Sequence, residues 1–267
     1  MGIYSSKEEL EKIANAIIKY FNAPFSRENV PGPVLEEIIE ECKGWPALGG
    51  IDFVDNLSPN GNCGVQCKSG STRRWSLEKN KWLFRQRPWG RITIPLSKRI
   101  LIDESYINPI LLQELGDSVI DTFNDKIKFS IEKYNLDEIG YIGLVFNPNS
   151  TFQYYERSIC LRNNPILFDK KDFRWEWSIP KKETDSPVLK GINIKTNQVW
   201  VRWKAHGDTQ LDFMGAEFWV TDDSLRLTFT AKNDGKDYYL DNLNIIENLN
   251  ISSNKVRRKN KISDFYI

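Results

Sequence analysis

Histidine is almost missing from this 267-residue chain, and His206 is the only one. That excludes chemistry needing a histidine pair, including the HNH, HUH and phospholipase-D nucleases and most histidine-ligated zinc sites. A Ser-His-Asp hydrolase needs a single histidine, but no Gly-x-Ser-x-Gly elbow accompanies His206. The chain also lacks a Gly-x-x-x-x-Gly-Lys-Ser/Thr loop and a Gly-x-Gly-x-x-Gly fingerprint, so the familiar nucleotide-binding loops drop out. Four cysteines are too few for a disulfide scaffold at this length, and a reduced, cytoplasmic setting is expected. No apolar run approaches the roughly 18 residues of a membrane span. The N-terminus shows no basic-then-apolar signal sequence. Neither sign of charge is in excess, with 37 basic residues against 36 acidic ones and a net charge of +1.

The apolar pattern is ordinary for a globular chain, at 40% hydrophobic residues. Residues 6–22 predict an amphipathic helix opened by a Ser6/Glu9 capping box. Pro33 to Gly44 predicts a second, with Glu36, Glu37, Glu40 and Glu41 on an acidic face. The short runs 51–54 and 64–68 predict two adjacent strands. A helix is expected over 76–87, a strand over 91–95, and a mainly helical stretch over 107–134. The expected one-sided stripe of that stretch is Ile110, Leu111, Leu115, Val119, Phe123, Ile127 and Ile131. A buried-type strand follows at 141–146. Beyond about 150, aromatic and β-branched residues alternate with polar ones, and strands are expected at 173–177, 199–204 and 225–232. The chain therefore divides into an α/β part with N-terminal helices over 1–150 and a β-rich part with a basic tail over 151–267. No low-complexity linker parts them, so they can share one core.

The chemistry concentrates at Asp52 and, fourteen residues on, Gln66-Cys67-Lys68. An acid that meets a lysine and a second oxygen ligand can hold Mg²⁺, which prefers hard oxygen donors and keeps several waters. Metal-bound water is easier to deprotonate and can attack phosphorus. A neighbouring lysine can place that water and offset phosphate charge.

Gly50-Ile51-Asp52 before Val65-Gln66-Cys67-Lys68 resembles the PD-(D/E)XK nuclease superfamily, in its Gln-x-Lys variant. The likeness is to Mrr-type and above all TaqI-type restriction endonucleases. It extends through Arg73, Glu78, Asn80, Leu83, Gln86, Arg87, Gly90, Ile94 and Pro95, and spans residues 49–96, roughly a fifth of the chain. Gln66 departs from the commoner acid of that pattern. The resemblance implies an α/β fold with a mixed central sheet flanked by helices. It also implies Mg²⁺-dependent hydrolysis of double-stranded DNA to 5′-phosphates by a type II restriction enzyme, acting as a homodimer on two-fold sites. Asp52, Gln66 and Lys68 are then catalytic, and Asp52, Gln66 and the Cys67 main-chain carbonyl are metal ligands. A helix glutamate, with Glu37 carried forward here, is a further candidate ligand. Two rivals stand beside this: a methylation-dependent or repair nuclease of the same fold, and a non-catalytic DNA-binding module.

From Lys68 to Arg99 the chain holds ten lysines and arginines against one acid, Glu78. Cations at that density neutralise phosphates and release counterions, and arginines can read guanine edges. Arg73, Arg74, Lys79, Lys81, Arg85, Arg87 and Arg91 are the DNA-binding candidates here. Lys255, Arg257 and Arg258 join them in the tail.

Overall fold

A computed structural model of the protein describes residues 2–26, 29–49, 53–71, 87–91, 101–146, 151–178, 187–204, 210–213, 225–231 and 238–241. It is a mixed α/β protein with a helical part and two mainly antiparallel sheets. Two compact units interleave in sequence. One comprises Met1–Leu83, Ile131–Arg162 and Val220–Ile267, and the other comprises Phe84–Ser130 and Asn163–Trp219. A single cut near residue 150, as expected from texture, would pass between two strands that pair along their whole length. No helix among the described residues is long and apolar enough to cross a membrane.

In the first unit, helix α1 (Lys7–Phe21) begins at the expected capping box. The Ser6 hydroxyl accepts from the Glu9 N–H, and the Glu9 carboxylate accepts from the Ser6 N–H. Helix α2 (Gly32–Lys43) ends at Gly44, whose φ of 69° is the left-handed conformation that glycine adopts without a Cβ clash. Both helices lay apolar stripes on a six-stranded sheet. Its order is β1 (Asn56–Leu57), β2 (Cys63–Ser71), β4 (Glu138–Phe146), β5 (Thr151–Leu161), β10 (Leu225–Ala231) and β11 (Tyr238–Asp241). Among the described strands, only β2 and β4 pair in parallel.

Alternate strand residues face the helices. Val65 and Cys67, Ile142, Leu144 and Phe146, Phe152 and Tyr154, and Leu227 and Phe229 close over Ile13, Ile17, Phe21, Leu35 and Ile38. Phe21 meets the Phe152 ring edge-on, with centroids 4.9 Å apart, and Phe152 stacks on Phe229 at 5.0 Å. Burying each such side chain contributes about 1.5–3 kcal/mol.

The expected strand at 51–54 is not where the hairpin forms. Residues 51 and 52 lie outside the described residues, and Phe53 and Val54 are buried without strand structure. The pairing strand is Asn56–Leu57. The fully buried Asn56 amide fixes it, donating to the Glu36 carbonyl at 3.0 Å and the Trp45 carbonyl at 2.9 Å. Val54 instead fills the space above Gly64, where a Cβ would come within 2.7 Å of it. A short apolar run signals burial, and periodicity alone does not separate a buried loop from a strand.

The second unit holds a five-stranded antiparallel sheet. Its order is β3 (Arg87–Arg91), β9 (Gln210–Phe213), β8 (Gln198–Lys204), β7 (Val188–Asn193) and β6 (Phe173–Trp177). The expected strands at 173–177 and 199–204 are present. Arg87 opens a strand instead of closing a helix, because β3 is an edge strand that tolerates Pro88, with a register shift beside it. Residues 76–86 and 92–95 lie outside the described residues. A short helix α3 (Leu101–Glu104) precedes α4 (Pro109–Tyr134). Of the expected stripe on α4, Leu115, Val119, Phe123, Ile127 and Ile131 are buried. Ile110, in the first turn, is 78% exposed and does not belong to it.

Gly116 lets α4 approach β6 closely, since a Cβ there would lie 2.1 Å from the Trp175 indole. Alanine normally gains about 1 kcal/mol over glycine inside a helix. Here the sign reverses, and Gly116→Ala is expected to cost about 1–3 kcal/mol by overpacking. Chemical denaturation checks this, and a stabilised variant would contradict the close approach.

A candidate active site on one face of the first sheet

Because β2 side chains alternate, Val65 and Cys67 enter the helix-covered core while Gln66 and Lys68 face the other side of the sheet. Asp55 sits one residue before β1 and donates its N–H to the Val65 carbonyl at 2.8 Å. The β1–β2 ladder pairs Asn56 with Val65, so extending it by one residue sets Asp55 opposite Gln66. The Asp55 carboxylate oxygen Oδ2 accepts from the Lys68 ammonium at 3.1 Å and from the Cys67 N–H at 2.8 Å. Asp55 is 12% and Lys68 23% exposed at the side chain, so the pair borders solvent. Gln66 is only 3% exposed. A strand residue points its N–H and C=O to the same edge, so the Cys67 carbonyl shares the Asp55 edge.

The face continues across β4 and β5. Gln66 is in register with Tyr141, and Tyr141 with Arg157. One step along, Lys68 is in register with Gly143, and Gly143 with Tyr155. The Tyr141 and Tyr155 rings stack with centroids 5.9 Å apart. The apolar helix side thus has a polar counterpart holding Asp55, Gln66, Lys68, Tyr141, Gln153, Tyr155 and Arg157.

Burial holds the Cys67 thiol well above its usual range, with the Asp55 and Glu36 charges adding to the effect. The neutral thiol donates to the Asn56 side-chain oxygen at 3.4 Å. Cys67 therefore offers a hard cation its carbonyl oxygen and not a thiolate. Among the described residues, no group of three or more His, Cys, Asp or Glu side chains is placed to share a metal ion. Among the described residues, the oxygens set here are the Asp55 carboxylate, the Gln66 amide and the Cys67 main-chain carbonyl.

Of the residues expected from sequence, Gln66, Lys68 and the Cys67 carbonyl come together. Asp52 lies outside the described residues, and among those described Asp55 is the carboxylate set beside Lys68. Glu37 is buried on α2, on the Cys67 side of the sheet and not on the Gln66 side. Glu40 accepts from the Ala47 N–H at 2.8 Å and so fastens the loop after α2. Arg73, Arg74, Lys79, Lys81, Arg85, Lys255, Arg257 and Arg258 lie outside the described residues. For Arg87 and Arg91 only the backbone, in β3, is described. Sequence reasoning missed Asp55, although it closes the same Asp-Phe-Val-Asp run as Asp52. It also missed Tyr155, whose only signal is its alternation in β5. Compared with known proteins, the chain matches no family model, no curated protein and no solved structure.

Proposed function

We propose that this protein is a Mg²⁺-dependent, site-specific endonuclease of double-stranded DNA, leaving 5′-phosphates and acting as a homodimer. The observation that carries this is the placing of Asp55, Gln66 and Lys68 together on one sheet face. The order α2–β1–β2–β3–α3–α4–β4, with β4 parallel to β2 in the first sheet, supports the mixed sheet that the PD-(D/E)XK resemblance implies. Magnesium takes one or two carboxylates and keeps several waters, so the donor set of Asp55, Gln66 and the Cys67 carbonyl fits it. When bound, the ion would supply an acidified water and offset charge on the phosphate.

The chain's own residues have separate tasks. Asp55 holds the Lys68 ammonium, and Lys68 sets the nucleophilic water and a phosphate oxygen in line. Gln66 provides an oxygen without adding charge. The basic segment after Lys68 neutralises flanking phosphates. Incubation with unmethylated phage DNA and Mg²⁺ should give discrete bands. Binding without cutting in Mg²⁺ or Mn²⁺ would instead mark a non-catalytic DNA-binding module.

The charges of Asp55 and Lys68 cancel, so metal attraction at this site is weak. Gln66→Glu adds one negative charge to the proposed donor set, which should lower the Mg²⁺ needed for half-maximal activity on the order of tenfold. Because Gln66 is buried, the new carboxylate should also destabilise the metal-free protein. Mg²⁺ should then raise the melting temperature of the variant more than that of the wild type. Equal shifts in both would remove Gln66 from the metal site.

A further inference from the structure

Gly143 is the one position where β4 leaves a gap between Lys68 and its lateral neighbour on β5. A Cβ built on Gly143 would lie 2.0 Å from Cζ and 2.2 Å from the hydroxyl of Tyr155. The far end of the phenol therefore occupies the space that a side chain at 143 would fill. Tyr155 starts from β5, crosses over β4, and ends facing β2. The ladder puts Lys68 directly beside Gly143 and Gly143 directly beside Tyr155. Neighbouring strands are about 4.8 Å apart, so the hydroxyl ends about one strand spacing from the stem of Lys68, on the same face. Tyr155 is 1% exposed and stacks on Tyr141, which is in register with Gln66. The ring is thus held rigidly, whereas Lys68 carries four rotatable bonds and stands at the solvent border.

We propose that Tyr155, admitted through the gap at Gly143, is a positioning residue for Lys68. Its phenol hydroxyl, the end of the ring that faces β2, abuts the lysine stem and keeps the ammonium turned toward Asp55 and the reacting phosphate. Tyr155 is too buried to touch DNA, so it acts through Lys68. The proposal rests on the nuclease assignment for its effect on rate, but not for the contact itself.

Two measurements separate these. In Tyr155→Phe the packing volume is kept, and DNA affinity should be unchanged. The single-turnover cleavage rate at saturating phage DNA should fall by about tenfold to a hundredfold, the scale of a small misplacement of a reacting group. A wild-type rate in this variant overturns the proposal, since a ring that only fills the core predicts no loss when its hydroxyl is removed. The second readout needs no activity. Lysines are reductively ¹³C-dimethylated, and the Lys68 signal is identified by its disappearance in Lys68→Arg. That signal should move in Tyr155→Leu, which removes the ring, and in Gly143→Ala, which displaces it. Should one of these variants not fold, the other carries the measurement. An unmoved signal overturns the proposal whether or not DNA is cut. Absence of any cleavage by the wild type, with a signal that moves, refutes the nuclease assignment and leaves the positioning of Lys68 by Tyr155 standing.

Discussion

Lys68→Ala is expected to abolish DNA cleavage, by about 10²–10⁴-fold or more, while specific DNA binding survives. The ammonium stands 3.1 Å from Asp55 at the solvent border of the β2 face, where a phosphate can reach it. The pair borders solvent and Asp55 keeps its hydrogen bond from the Cys67 N–H, so the variant should lose less stability than one that strands a fully buried charge. Loss of cleavage without loss of fold separates a catalytic lysine from an ordinary ion pair. Asp55→Asn tests the partner. It keeps an oxygen toward the Cys67 N–H but removes the charge that holds Lys68 and attracts the cation. Its activity should fall as far as that of Lys68→Ala, whereas a wild-type rate would return the acidic role to Asp52. Cleavage by Lys68→Ala at the wild-type rate would end the proposed mechanism.

The second large effect concerns folding. Lys43, at the end of α2, and Glu156, on β5, are both buried and lie 3.3 Å apart. The ammonium also donates to the Ile3 carbonyl and the Ser5 hydroxyl, each at 2.7 Å. The Glu156 carboxylate further accepts from the Ser5 N–H, the Ser5 hydroxyl and the Tyr154 hydroxyl. This network fastens the N-terminal segment to the sheet that carries the candidate site. Replacing one partner strands a buried charge, which costs about 3–5 kcal/mol. Lys43→Met should therefore lower the melting temperature by about 10 °C. Adding Glu156→Gln removes the stranded charge while keeping the hydrogen-bonding shape, and should recover much of the loss. Equal stability of Lys43→Met and the wild type would show that the pair is solvated in the folded protein. No recovery in the double variant would assign the loss to packing of the lysine stem.

Both helices of the first unit were legible in the sequence. A capping box and a terminal glycine are local signals, and the apolar spacing of α1 and α2 repeats over several turns. Strands β4, β6, β8 and β10 were likewise visible as alternating or continuous apolar runs. Gln66 and Lys68 could be placed on one face from their two-residue spacing alone, because strand periodicity is a backbone property.

Only the tertiary structure brings Asp55 to the lysine. In the sequence Asp55 is one acid of the Asp-Phe-Val-Asp run, and its place beside Lys68 depends on where the hairpin starts. That start is set by Asn56, whose amide is satisfied by carbonyls 11 and 20 residues away. The interleaving of the two units and the parallel ladder between β2 and β4 are long-range arrangements that no local pattern encodes. The same holds for Gly143. In the sequence it is a glycine inside a strand, and the ring it admits comes from the neighbouring strand, twelve residues away.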